Sequence, residues 1–199
     1  MNKLIEAIEH DNLVAIKKLC NSDIDLTTPI DMGAEYGLED PDLTTILFYT
    51  IRKYGSVEAL EILLENGVDI REIDPDGLSA IDVAIKFKRE DVIKLCIDRG
   101  IDVNETHRPS GITPIILAAC FNNTAIVELL LEHGADINAH DSGGMTTKDY
   151  AKKLGQKKML AFLEERGAKH NLYREERQEE KFDMKNRKKP TQEQGFDSI

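Results

Sequence analysis

Four glycines set the frame of this chain. Gly67, Gly100, Gly134 and Gly167 fall 33, 34 and 33 residues apart. Around the first three the chain repeats one phrase, with NGVDIR at 66–71, RGIDVN at 99–104 and HGADIN at 133–138. A fixed period of this size means stacked supersecondary units, each touching only its neighbours, and excludes a single closed core. The 199 residues leave room for a short array and a tail.

The clearest unit is GITPIILAACFNNTAIVELLLEHGADIN at 111–138. Apolar residues at Ile115, Ala118 and Ala119, then at Ile126, Val127, Leu129, Leu130 and Leu131, predict two short amphipathic helices separated by the polar Asn122–Asn123 break. Gly134 is expected to end the second helix in a left-handed conformation. The units at 77–104 and 144–168 repeat the pattern, with Ser79 and Thr146 where this one has Thr113. A hydroxyl there can cap the first helix, and Pro114 at the next position removes no needed donor. Upstream, 46–70 matches again with Ile46–Leu47 in place of Thr113–Pro114, and 4–26 matches with Asp11–Asn12 at the break and Asp23 in the glycine position. The spacing from Asp23 to Gly67 is 44 residues, one period plus 11. The excess lies in about 31–42, DMGAEYGLEDPD, an acidic insertion read as an extended loop between repeats.

The GxTP start, LAA and the LLLxxGADIN ending within 111–138 resemble the ankyrin repeat family. The resemblance covers about 1–169 as five repeats, at 1–27, 43–71, 74–104, 108–138 and 141–169, the first and fifth as caps. Ile116 departs from the family's histidine, the first repeat lacks its glycine, and the second is interrupted before its first helix. Such a resemblance implies an all-α solenoid of helix-turn-helix units. First helices and hairpin tips would line its concave face, and its usual work is binding another protein. An open solenoid surface offers no enclosed pocket that excludes water, which independently disfavours catalysis.

Composition narrows the partners. A formal net charge of −11 opposes non-specific binding to nucleic acid or anionic membrane and favours one protein partner with a basic or neutral surface. Cys20, Cys96 and Cys120 form no CxxC pair, and the five histidines form no i, i+4 pair, so no metal ligand set and no cofactor are expected. HExxH, GxSxG and P-loop motifs are absent from the sequence. Early acidic residues and the lack of an apolar span suggest an unexported, cytoplasmic chain, monomeric on its own.

The candidate contact residues sit at the ends of the first helices. Aligned on the break, the paired positions hold Glu9–His10, Lys53–Tyr54, Lys86–Phe87, Cys120–Phe121 and Lys153–Leu154. In the geometry the resemblance implies, His10, Tyr54, Phe87, Phe121 and Leu154 form an apolar column beside Lys53, Lys86 and Lys153. Aromatic anchors of this kind carry about 2 kcal/mol or more in binding; the alternative for each is packing against the next repeat. At the hairpin tips Asp76, Arg108 and Ser142 are contact candidates, whereas Pro75, Gly77, Pro109, Gly111 and Gly144 suit the turns for backbone reasons. Within the insertion, Glu35, Tyr36, Glu39 and Asp40 are candidate contacts for a basic partner, with a solvated spacer as the alternative. The tail at 170–199 carries seven basic and seven acidic residues; helix is expected up to about Lys189 and disorder beyond Pro190.

These features point to a non-catalytic protein-binding module. Narrower readings are an inhibitor or immunity-type blocker of an enzyme and a scaffold that self-associates through its tail. An enzyme or ligand sensor is the competing class.

Overall fold

Every apolar stripe read from the sequence becomes one short helix. The computed structural model describes residues 1–22, 24–33 and 42–171. Among these residues ten α-helices run in pairs. The first pair is α1 (Asn2–Glu9) and α2 (Leu13–Cys20), and the second is α3 (Ile46–Arg52) and α4 (Val57–Glu65). Then come α5 (Ala80–Lys86) with α6 (Glu90–Asp98), α7 (Pro114–Cys120) with α8 (Thr124–Glu132), and α9 (Thr147–Lys153) with α10 (Lys157–Glu165). Helices α3, α5, α7 and α9 stack in order as one layer, while α2, α4 and α6 stack as a second. The architecture is an all-α solenoid.

Helix starts follow the hydroxyl positions. Asp82 and Asp149 accept from the backbone N–H groups of Ser79 and Thr146 three residues back, closing capping boxes at α5 and α9, and from the same residues' hydroxyls. Asp149 also accepts from His170 and from the Asn171 backbone N–H. Burial opposes its ionisation, yet these donors together hold its carboxyl below the usual range. Thr113 makes no side-chain cap, and Pro114 at the first turn instead presets the backbone of α7. At the other end of the unit Gly134 has φ +86° and its N–H reaches the Leu131 carbonyl at 3.1 Å, as its place after α8 requires.

The insertion is anchored by a paired stem. Strand β1 (Ile30–Asp31) runs antiparallel to β2 (Leu43–Thr44), with Ile30 opposite Thr44. One Asp31 carboxylate oxygen accepts from the Gly33 and Asp42 N–H groups at 2.7 and 3.1 Å, and the Met32 N–H donates to the Asp42 carbonyl at 2.8 Å. Met32 is buried against the first two repeats. The insertion read over 31–42 thus begins and ends at a paired stem, with Met32 seated in the apolar cluster of the first two repeats. Asp23 and the candidates Glu35, Tyr36, Glu39 and Asp40 lie outside the described residues, as does the tail beyond 171.

The second repeat differs from the alignment by one residue. Its first helix begins after Thr45, whose hydroxyl accepts from the Phe48 N–H at 3.2 Å, so Thr45 and not Ile46 occupies the Thr113 slot. The extra residue falls in the break, where 53–56 separate two helices that elsewhere stand three residues apart. Tyr54, at φ +58°, therefore shares the left-handed position with Asp11, Lys88, Asn122 and Gly155. Gly55 takes the next position, whose N–H in each repeat donates back to a buried residue of the first helix: Ala7, Thr50, Ala84, Ala118 or Ala151.

Thr50 is the only non-alanine of that set, and its hydroxyl donates to the Ile46 carbonyl at 2.7 Å. A Cβ on Gly55 would stand 2.6 Å from Thr50 Cγ2. The larger residue in the helix is matched by the smallest in the break. Gly55→Ala should destabilise the chain by about 1–3 kcal/mol through overpacking, and adding Thr50→Ala should return part of that loss. Urea unfolding of the four chains tests the coupling, and strictly additive costs would show that Thr50 does not constrain position 55.

Apolar burial forms two clusters. One runs from Leu47 and Leu60 through the last repeat; the other joins α1, α2 and Met32 to Tyr49, Ala59 and Leu63.

Candidate interaction groove

The final residues of the first helices are Glu9, Arg52, Lys86, Cys120 and Lys153, and the caps that follow are His10, Lys53, Phe87, Phe121 and Leu154. The basic row therefore contains Arg52 where the alignment had placed Lys53, and Lys53 stands in the column assigned to Tyr54. Between α3, α5 and α7 and the tips at 75–78 and 108–110 lies a groove of about 610 Å³. Arg52, Asp76, Asp82, Lys86 and Arg108 supply its charges, and Val83, Phe87, Leu117 and Phe121 much of its apolar lining.

The tips reach the groove for local reasons. In the outer hairpins an aspartate closes the turn: Asp74 Oδ1 accepts from the Asp76 and Leu78 N–H groups, and Asp141 Oδ1 from those of Gly143 and Met145. Arg108 occupies that slot in the middle hairpin. There the Thr106 hydroxyl accepts from the Arg108 N–H at 3.3 Å and donates to the Ile112 carbonyl at 2.8 Å. Arg108 Nε instead faces Oδ1 of Asp82 at 3.5 Å. Asp82 is only 2% exposed, and its other oxygen accepts from the Ser79 N–H and hydroxyl. An inward tip arginine thus meets a carboxylate already held by a helix cap.

A family model described as Ankyrin repeats (3 copies) matches residues 4–107 and 103–174. The chain belongs to the ankyrin repeat family. No curated protein matches it. Ankyrin repeats are generally protein–protein interaction modules, and members are typically non-catalytic. No helix among the described residues is long and apolar enough to cross a membrane, and no group of three or more His, Cys, Asp or Glu among them is placed to hold a metal ion.

The ankyrin groove gathers five of the candidates: Asp76, Lys86, Phe87, Arg108 and Phe121. Phe121 is 42% exposed, whereas Phe87 is half-buried against the core. Tyr54, 64% exposed, lies beside this groove, its ring edge-on to Phe87 at 6.3 Å and its hydroxyl donating to the Phe87 carbonyl at 3.2 Å. Buried Arg89 braces that pair, with its guanidinium carbon 5.7 Å from the Tyr54 ring and Nη2 donating to the Gly55 carbonyl at 2.8 Å. Leu154, 50% exposed, and Lys153 continue the two rows at α9 without lining the groove.

His10 is exposed at the amino-terminal repeat, and Lys53 pairs with Glu9 at 3.6 Å over the Tyr49 ring. The Tyr49 hydroxyl donates to Glu9, holding that carboxyl below its usual range. Ser142 turns out to join tips: its N–H donates to the Ser110 carbonyl at 2.9 Å and its hydroxyl to that of Pro109 at 3.2 Å. Cys120 is half-buried, and burial pushes its thiol up, away from the reactive thiolate. Nearby, burial and Asp141 push the Tyr150 phenol up to about 12, so it remains a donor to that carboxylate at 2.6 Å.

The sequence reading missed Arg52 and Asp82 as lining residues. Counting the second repeat from Thr45 forward, instead of from Gly67 back, would have placed Arg52 in the row of Lys86.

Proposed function

We propose that this chain is a non-catalytic binding module that holds one partner protein in the groove spanning its second to fourth repeats. The observation that carries this reading is exposed aromatic surface beside charged side chains: Phe121 in the groove and Tyr54 at its edge both stand in solvent, and Asp76 and Lys86 of the lining are exposed as well. Exposed aromatics flanked by charge are the composition of binding hot spots. The rigid helix ends and hairpin tips hold these groups in place, so little ordering opposes association.

Phe87 is too deeply packed for a clean test, so the informative variant is Tyr54→Ala with Phe121→Ala. We expect it to retain the helical circular-dichroism spectrum and cooperative unfolding, with a midpoint lowered by loss of the Tyr54–Phe87 contact, while losing a protein that the wild type retains from a lysate of its source. Mass spectrometry of the two eluates reads the difference. Equal capture by both folded chains would place the binding surface elsewhere.

A further inference from the structure

We propose that the groove selects a linear segment of its partner in which an aspartate or glutamate stands next to an apolar side chain. This deepens the protein-binding reading and rests on it. The chain as a whole carries −11, yet three basic and two acidic side chains line the groove. Arg108 and Asp82 face each other, and Ser79 holds the second Asp82 oxygen, which leaves Arg52 and Lys86 against Asp76. Charge spread over the rest of the surface is screened beyond about 8 Å at physiological salt. The groove's own side chains therefore decide what docks there, and the overall negative charge acts mainly on approach.

The basic groups have donor capacity to spare. Nε of Arg52 and Nε of Arg108 are buried without a hydrogen-bond partner, as is the Asp82 Oδ1 that Arg108 faces. The donors open to a ligand are therefore the Nη groups of side chains still 15% and 17% exposed. Each guanidinium faces a carboxylate only at ion-pair range, Arg52 with Asp42 at 3.7 Å and Arg108 with Asp82 at 3.5 Å. Lys86 is exposed and enters no ion pair among the described residues. Planar guanidinium forks match a carboxylate in shape and charge, and the lysine adds a mobile point charge. Phe121 at the same site offers an apolar face to the neighbouring side chain. Asp76 opposes a dianion more than a monoanion, which favours a carboxylate over a phosphate ester.

Selection of a random linear peptide library on the full chain tests this directly. Enriched peptides should carry Asp or Glu within two or three residues of an aromatic or large aliphatic residue. Their recovery should fall at least tenfold on Lys86→Glu and on Phe121→Ala, two exposed positions whose variants are checked for folding by circular dichroism. Peptides enriched in Lys or Arg that still need Phe121 would overturn the acidic preference while leaving the binding reading intact. Peptides recovered equally on Phe121→Ala would overturn both, and failure to enrich any sequence would count against a groove for linear segments.

Discussion

Gly77→Ala will cost the chain about 2–5 kcal/mol, far more than one added methyl suggests. The residue has φ +77°, where a side chain adds about 1–2 kcal/mol of backbone strain. Its new Cβ would also lie 2.3 Å from the His107 carbonyl oxygen and 2.7 Å from its carbon, backbone atoms of the next hairpin that no rotamer change can move. Overpacking of this kind adds about 1–3 kcal/mol. Gly134→Ala is the matched control: its φ is +86°, but nothing lies within 4 Å of the added Cβ. It should show the strain alone. Denaturant midpoints of the two variants give the difference, and equal losses would mean that contact between tips contributes nothing. Because Asp76 precedes Gly77 and Arg108 follows His107, the same substitution should also disturb peptide capture by the groove.

Leu130→Ala is the second large loss, at about 2–5 kcal/mol. Leu130 is 0% exposed in the best-matched repeat, among Ile126, Val127 and Leu129 of α8, and its truncation leaves a cavity in the layer between repeats. Solenoid stability is close to a sum of repeat and neighbour-interface contributions, so the cost should be concentrated in the third to fifth repeats. Hydrogen exchange should then quicken in α5 to α10 more than in α1 and α2. A loss under about 0.5 kcal/mol would show that position 130 is not a core position.

The helix pairs were legible because the pattern is local. Apolar residues at helical spacing, a hydroxyl at the start of the first helix and a glycine after the second each act within a few residues. The second repeat was misaligned for a physical reason: glycine is the favoured left-handed residue, so Gly55 looked like the equivalent of Asn122. In the structure Tyr54 takes that conformation, and Gly55 is small because Thr50 fills the space an alanine leaves free elsewhere. That exchange of volume links residues on two segments, and one line of sequence does not display it. The groove was half legible. Phe121 and Lys86 follow from register, but the inward turn of Arg108 depends on a buried carboxylate 26 positions earlier.

Helix α4 stands as a shared wall. It gives Leu60 to one apolar cluster and Ala59 and Leu63 to the other, as its partner α3 gives Leu47 to the first and Tyr49 to the second, so the two interiors meet in this one repeat. The first repeat with its strand clamp is consequently a terminal compartment that can open on its own free-energy scale while the remaining four stay shut. Damage to α4 has no such containment, because it breaches both compartments at once.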